Sequence, residues 1–144
     1  MIENFYKLTL IATKKDYSAM SKTHGYVDFA PNGKPIAAIV PDEPVGYMTI
    51  LEFEEGIPRG NHVHSDKQEF LVPISGSLLV KLWLPNSPKD KAEIALRRGQ
   101  ILNILPNCAH SVTAICGDAT AIEYSPKFYE HDYASKVEDA DLLA

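Results

Sequence analysis

Cysteine and long apolar runs are both scarce in this chain. Its 144 residues include two cysteines, Cys108 and Cys116, which are too few for a disulfide framework. No apolar run approaches the roughly 20 residues that a membrane-spanning helix needs. The N-terminus carries an early acid, Glu3, and lacks the long apolar segment of a secretory signal. We therefore expect reduced thiols, no membrane partner and a soluble, cytoplasmic protein.

Positive charge is also scarce. The net charge is -5 at pH 7, and basic residues occur only in short groups such as Arg97-Arg98, so a nucleic-acid partner is not expected. The sequence has no internal repeat, low-complexity tract or linker, and its length suits one domain. We predict a single domain that spans residues 1–144.

Turn-forming residues, by contrast, are frequent. Ten prolines and eight glycines separate short apolar runs, which is the pattern of an all-β sandwich or barrel. The predicted strands are residues 36–40, 47–53, 70–74, 78–84, 93–96, 101–105, 111–115 and 120–124. Short helices are predicted only near the ends, at residues 14–22 and 133–143. The clearest loop is predicted at residues 85–90, and turns are predicted at Arg98-Gly99 and at residues 116–118.

Two histidines stand two residues apart in an extended stretch. Side chains alternate across a strand, so His62 and His64 are expected to point to the same face. Glu69 lies five residues further on and opens an apolar run, from where it can turn back beside them. Two imidazoles and a carboxylate that converge on one point form half of a transition-metal site.

A third nitrogen donor is predicted at His110. It follows a strand and the turn at Pro106-Asn107 and then opens another strand, so a hairpin would place it opposite the histidine pair. The full donor set is His62, His64, Glu69 and His110. This set would hold one divalent transition metal (Zn, Mn, Fe or Ni) and leave about two coordination positions open, as catalytic sites do. The charge left on the ion favours a small-molecule substrate that is anionic or chelates through oxygen.

The pattern resembles the cupins. Their first motif, G-x5-H-x-H-x4-E-x6-G, is matched at every position from Gly56 to Gly76. Their second motif, G-x5-P-x-G-x2-H-x3-N, is matched at Gly99 and His110. It departs at three positions, Leu105, Asn107 and Ala114. The resemblance implies an all-β fold, the antiparallel double-stranded β-helix or jelly-roll barrel of the RmlC-like superfamily, with the metal inside and a homodimer as the default assembly.

A finer resemblance is to the sugar-nucleotide ketoisomerases and epimerases. The run Arg59–His64, followed by Glu69 and by Ser75-Gly76-Ser77, looks like the RGxHxH…FL…SGS segment of the ketoisomerases, and residues 123–133 are similar to their closing segment. Those enzymes act on nucleotide-linked 4-keto-6-deoxy sugars and move a carbonyl between C3 and C4. The same GNHxH followed by glutamate also looks like the metal-carrying cupin domain of capsular-polysaccharide sugar enzymes.

One departure bears on the mechanism. The ketoisomerases typically carry glutamine at the position of Glu69, and their two motif histidines are free to move protons. With Glu69 present, His62 and His64 are better interpreted as metal ligands. Because a metal-bound nitrogen cannot also act as a general base, the mechanism that the resemblance implies does not carry over intact.

A separate group must then move the proton next to the substrate carbonyl. The predicted candidates are Tyr47 and Tyr124, on strands that should flank the site. Arg59, which precedes the histidine pair, suits a carboxylate or a phosphate. Lys81 and Glu123 lie on the same group of strands, but we expect them to face solvent.

Three functions remain open at this point. The resemblance favours a metal-dependent isomerase or epimerase that acts on a keto sugar, in which the metal polarises a substrate oxygen. The first alternative is a non-haem Fe(II) dioxygenase of a small organic substrate, because three histidines and a glutamate also hold iron with open positions. The second alternative is a non-catalytic cupin that binds a small metabolite.

Overall fold

Nearly all regular structure in the described part of the chain is antiparallel β-sheet. The structure, a computed structural model, describes residues 1–10, 12–13, 25–29, 35–39, 44–126 and 134–136. A 3-10 turn, Ile2–Asn4, precedes the first strand. The strands are β1 Tyr6–Leu10, β2 Ala12–Thr13, β3 Gly25–Phe29, β4 Pro35–Ile39, β5 Tyr47–Phe53, β6 Arg59–His64, β7 Glu69–Leu84, β8 Ser87–Arg97, β9 Gln100–Ile104, β10 Ala109–Ser125 and β11 Ala134–Lys136. The predicted all-β class is confirmed.

Eight of the strands form one sheet. Its order is β1-β9-β7-β10-β6-β11, with β5 also paired to β10 and β8 also paired to β7. The strands β2, β3 and β4 form a separate sheet, in which β2 and β3 run parallel. No helix among the described residues is long and apolar enough to cross a membrane.

The two long strands β7 and β10 form a ribbon that curls until its ends meet. Across this ribbon His110 lies opposite Leu82, thirteen residues from Glu69 along β7. A straight strand of that length would span about 40 Å. Glu69 Oε2 nevertheless lies 3.3 Å from His110 Nε2. The ribbon therefore closes on itself, and this closure brings distant parts of the sequence into one site.

The bend in the ribbon lies where the sequence predicts turns. Gly76 sits in the middle of β7 with φ +78, opposite residues 116–119 of β10, where Cys116 and Gly117 also have positive φ. Extra residues in one strand of a pair form a bulge that bends the sheet without ending it. The sequence predicts one strand before and another after Gly76, and likewise before and after Cys116-Gly117. Both predictions are wrong, because β7 runs continuously through Gly76 and β10 runs continuously through Cys116-Gly117.

Two further predictions differ from the structure. The loop predicted at residues 85–90 is confined to Pro85-Asn86, and β8 begins at Ser87. Among the described residues β8 pairs only with β7, and an edge strand accommodates Pro88 because its missing N–H needs no partner. The helix predicted at residues 133–143 is wrong over Ala134–Lys136, which pair with β6 as β11. The rest of that segment, and the helix predicted at residues 14–22, lie outside the described residues.

Apolar side chains pack on both faces of β7. Leu71, Leu78, Val80 and Leu82 belong to the larger core cluster. Phe70 lies on the other face and packs in a second cluster. The second cluster consists of Phe70, Val72, Ile101 and Tyr124. Because side chains alternate along a strand, the residue next to a core position on β7 or β10 belongs to the opposite face.

The bend predicts a specific sensitivity at Gly76. A Cβ on this residue would lie 2.6 Å from Asp118 O and 2.7 Å from Ala119 Cβ, in a backbone conformation that L-residues rarely adopt. We expect Gly76→Ala to lower the free energy of unfolding by about 3 kcal/mol in urea titrations, because strain and overpacking add. Gly99→Ala is the matched control: φ is +92 and nothing lies within 4 Å, so about 1 kcal/mol of conformational strain is expected. Equal losses in the two variants would contradict the close approach.

Candidate functional site

The three predicted histidines meet through the pairing of β10 with β6. His110 lies opposite His62 in the register, and the next pair is Ser111 with Gly60. A Cβ on Gly60 would lie 2.8 Å from His110 O, so only glycine lets the two strands approach this closely. His62 Nε2 lies 3.0 Å from His110 Nε2 and 3.2 Å from His64 Nε2. The three imidazole nitrogens therefore point at one place.

Glu69 completes the cluster from the first residue of β7. Its Oε1 lies 2.8 Å from His64 Nε2, and its Oε2 lies 3.3 Å from His110 Nε2. One ligand atom from each of the four residues lies within 4.8 Å of all the others. Ligands at right angles around an ion with bonds of about 2.1 Å stand about 3 Å apart, so the spacing fits a divalent transition metal.

The orientation of His110 also suits a ligand. Its Nδ1 lies 3.1 Å from Cys108 O, and since a carbonyl only accepts, Nδ1 carries the proton. When a metal is bound, Nε2 would present its lone pair to the ion. A hydrogen bond from the far nitrogen to a carbonyl is the usual support of a metal-binding histidine. The structure thus contains a cluster of three histidines and one glutamate that could hold a metal.

The charge of Glu69 is stabilised by its neighbours. Burial alone would raise the pKa of this carboxyl, but the hydrogen bonds and charges of His110 and His64 outweigh burial and hold the pKa well below its usual value. Glu69 is therefore the anionic member of the cluster, as a carboxylate ligand has to be.

Lys67 lies beside the donor cluster and was missed by sequence reasoning. Its side chain is only 5% exposed, and its Nζ lies 3.4 Å from Glu69 Oε1 and 3.0 Å from Glu123 Oε1. Burial would lower the pKa of Lys67, but its hydrogen bond with Tyr47 and the two carboxylates outweigh burial and raise it. The ammonium group therefore stays charged and links the cluster to a second carboxylate. Its position inside the motif, between His64 and Glu69, was the available signal.

Glu123 and Tyr47 lie beyond Lys67. The Glu123 side chain is 15% exposed, so the expectation that it faces solvent is wrong. Burial and the charge of Glu69 raise the pKa of Glu123, while Lys67 acts in the opposite direction. Tyr47 Oη lies 3.5 Å from Glu123 Oε1, and the Lys67 ammonium lies 5.1 Å from the Tyr47 ring centre. Burial is also the main cause of the raised pKa of Tyr47.

The cluster opens into a cavity of about 670 Å³, which is within the range of small-molecule sites. Its polar wall includes Glu69, Glu123 and Arg59. Its apolar wall includes Leu51, Phe53 and Leu71. The Arg59 guanidinium donates from Nη1 to Glu52 O at 2.9 Å and lies 5.5 Å from the Phe53 ring centre. Arg59 is thus held at the cavity wall, where it can meet an anionic group.

Two other predicted residues lie elsewhere. Tyr124 is 2% exposed and stacks on Phe70 at 4.8 Å. It belongs to the second core cluster, on the face of β10 opposite Glu123, so the structure does not support a role for it as the base. Lys81 is not among the residues that line the cavity in the described part of the chain. A shift of one residue along a strand reverses the face, which is why the prediction chose Tyr124 over its neighbour.

The fold and the site define a cupin: an antiparallel jelly roll with three histidines and a glutamate at its centre. A family model described as "FdtA: WxcM-like, C-terminal" matches residues 13–140. The chain therefore belongs to this family. No curated protein sequence matches the chain.

Solved structures with the same fold include two ketoisomerases and a larger protein. A 3,4-ketoisomerase from Helicobacter canadensis is 17% identical with a TM-score of 0.69, over 96% of this chain and 93% of that one. A mutant of the 3,4-ketoisomerase QdtA from Thermoanaerobacterium thermosaccharolyticum, in complex with TDP-4-keto-6-deoxyglucose, is 14% identical with a TM-score of 0.66, over 91% and 86%. The capsular polysaccharide assembling protein CapF from Staphylococcus aureus is 15% identical with a TM-score of 0.61, over 81% of this chain but 35% of that protein.

The burial of Lys67 leads to a prediction about the stability of the protein. Lys67→Met leaves two buried carboxylates without their shared cation, and loss of one partner from a buried ion pair costs several kcal/mol. We expect the free energy of unfolding at pH 7 to fall by about 3 kcal/mol in denaturant titrations. The exposed Lys89 on β8 provides the control, since Lys89→Met is expected to change stability by less than about 0.5 kcal/mol. Similar effects in both variants would show that Lys67 is not held as the structure has it.

Proposed function

We propose that the protein is a keto-sugar isomerase or epimerase that binds one divalent transition metal and acts on a nucleotide-linked sugar. The observation that carries the proposal is the convergence of three imidazole nitrogens and a carboxylate at the wall of a cavity, in a chain of the FdtA family. The ketoisomerase activity and the TDP-4-keto-6-deoxyglucose named for the similar structures support the choice of substrate class.

The charges of the site support an oxygen-bearing substrate. Lys67 offsets one of the two carboxylates, so the cluster with Glu123 carries one negative charge. A divalent ion held by His62, His64, Glu69 and His110 would reverse that sign and leave the site with one positive charge. When bound, such an ion supplies Lewis acidity, which lowers the energy of a negatively charged oxygen beside it.

The remaining residues serve binding and orientation. Arg59, at the cavity wall, is suited to bind a diphosphate or another anionic part of the substrate. Leu51, Phe53 and Leu71 give the cavity an apolar surface that excludes water from the reacting group. Proton transfer at a carbon next to a carbonyl is the chemistry that this environment favours.

A single domain, a homodimer and a cytoplasmic location remain predictions. Self-association is supported by β5, which among the described residues pairs only with β10. On this edge strand Met48 is 53% exposed and Ile50 is 71% exposed. An exposed apolar edge strand is usually covered by a partner.

The metal site is tested by removing one ligand. We expect protein purified without chelator to contain about one transition metal ion per chain by elemental analysis. Glu69→Gln should bind zinc at least 100-fold more weakly, since even the loss of a residue that only hydrogen-bonds to a metal ligand lowers the affinity 10- to 100-fold. Metal at a hundred times its Kd should stabilise the wild-type protein by about 2.7 kcal/mol. Glu93→Gln removes an exposed carboxylate on β8 and should leave both values unchanged.

The identity of the bound ion also distinguishes the proposed isomerase or epimerase from the alternative dioxygenase. Zn, Mn or Ni would support non-redox chemistry, whereas iron together with oxygen consumption would favour the dioxygenase. Failure of the wild-type protein to bind any of these ions would contradict the metal site and leave the histidines available for proton transfer.

The reaction is tested by solvent exchange. We expect the metal-loaded protein to introduce deuterium from D2O into TDP-4-keto-6-deoxyglucose at a carbon next to the carbonyl, detected by proton NMR and by mass, because isomerisation and epimerisation both remove and return that hydrogen. The Glu93→Gln variant should exchange at the wild-type rate. No uptake into TDP- or UDP-linked 4-keto sugars would argue against an isomerase or epimerase.

A further inference from the structure

The site contains a second carboxylate that the donor cluster does not use. Glu123 lines the same cavity as His62, Glu69 and His110. It is not part of the group of ligand atoms that lie within 4.8 Å of one another. A group that removes a proton from carbon next to a carbonyl would have to stand close to the donor cluster without belonging to it. Glu123 occupies such a position.

The sheet register fixes where the Glu123 side chain points. Glu123 lies opposite Leu71 of β7 and Thr49 of β5. Leu71 is two residues from Glu69, so the side chains of Leu71 and Glu69 share a face, and Glu123 joins them on it. The neighbouring Tyr124 points into the second core cluster. The strand therefore presents a carboxylate to the cavity and an aromatic ring to the core.

Two contacts hold the Glu123 carboxylate in place. Lys67 Nζ lies 3.0 Å from its Oε1 and 3.4 Å from Glu69 Oε1, so one buried ammonium group ties the second carboxylate to the donor cluster. Tyr47 Oη lies 3.5 Å from the same Oε1. Because both contacts engage Oε1, the other oxygen, Oε2, is the one that can face a substrate.

The other polar groups in or beside the cavity are less suited to accept a proton. The imidazole nitrogens of His62, His64 and His110 point into the donor cluster. Arg59 is always protonated in proteins and has no acceptor. The Tyr47 phenol is a donor to Glu123 in this arrangement.

We propose that Glu123 is the catalytic base that takes and returns the carbon-bound proton, and that Lys67 and Tyr47 are positioning residues that orient its carboxylate. This inference rests on the proposed function. The Glu123 carboxylate removes the proton from the hydroxyl-bearing carbon next to the carbonyl. The electron pair of the C–H bond forms a C=C bond, and the π pair of the carbonyl moves onto its oxygen to give an enediolate. The hydroxyl proton passes to that oxygen within the enediolate, the protonated Glu123 gives its proton to the former carbonyl carbon, and the C=C electrons return to form the new carbonyl at the neighbouring carbon. No oxidant or reductant is consumed.

The test compares deuterium exchange into TDP-4-keto-6-deoxyglucose by the metal-loaded wild-type protein, Glu123→Gln and the control Glu93→Gln. The amide keeps an oxygen for Lys67 but does not accept a proton. We expect at least a 100-fold lower exchange rate in Glu123→Gln, with metal content unchanged and KM within threefold. The control should match the wild-type protein.

Other outcomes overturn the proposal in distinguishable ways. Exchange within threefold of wild type in Glu123→Gln would overturn the assignment of the base alone. Loss of metal or a raised KM that accounts for the lower rate would assign Glu123 a structural role. No exchange by the wild-type protein or by the control would overturn the proposed function and this assignment with it.

A second variant keeps the assignment testable if the amide does not fold. Glu123→Asp retains the charge that Lys67 requires but withdraws the carboxylate by one methylene. We expect about a 10-fold lower exchange rate with unchanged KM, and full activity would contradict the assignment.

The role of Lys67 is tested with a double variant. Lys67→Met/Glu123→Gln should be no slower than Glu123→Gln alone, since residues that act as one unit are not additive. A further loss in kcat would show that Lys67 does not act through Glu123.

Discussion

The closure of the ribbon formed by β7 and β10 is the constraint on which the site depends. Glu69 begins β7, and His110 lies near the start of β10, opposite the far end of β7. The ribbon has to close on itself to bring a Glu69 oxygen within 3.3 Å of a His110 nitrogen. The bend requires the close packing of Gly76 against Asp118 and Ala119. A glycine that provides no ligand atom thus supports the bend on which the donor cluster depends.

The buried charges are the second condition that the fold has to meet. An isolated carboxylate inside a barrel is strongly destabilising, and proteins bury one only when it is paired or bound to a metal. Here Glu69 contacts two histidines and Lys67, and Glu123 contacts Lys67. Lys67 accordingly serves two carboxylates on different strands. The same ion pairs that permit burial also fix the orientation of each carboxylate, so stability and geometry have a common origin.

The sequence predicts local parts of the site well and long-range parts poorly. The common face of His62 and His64 follows from the two-residue period of a strand. His110 does lie opposite this pair, but through the pairing of β10 with β6 and not through a hairpin, because β9 and β10 are not paired among the described residues. The continuity of β7 and β10 was missed because Gly76 and Gly117 signal turns whether they end a strand or bend it. The face of β10 that lines the cavity depends on register alone, which single-sequence patterns do not fix.

Lys67 was missed for a related reason: in the sequence it is one charged residue in a polar turn, where lysines are usually solvated. Its burial is made possible by its ion pair with Glu123, whose orientation follows from the register of β10.

The presence of Glu69 and the arrangement of Lys67 with Glu123 follow one chemical logic. Under the proposed function, the three imidazoles and the carboxylate would form a metal donor set, and imidazole nitrogens bound to an ion would be unavailable to move a substrate proton. A site of this kind has to take its base from another strand, and that base must stay near the cluster without joining it. An ammonium group that contacts both carboxylates meets this requirement, because it holds the second carboxylate close to the cluster. If Glu69 acts as a metal ligand, as proposed, its presence explains why a separate proton-transfer group such as Glu123 is needed.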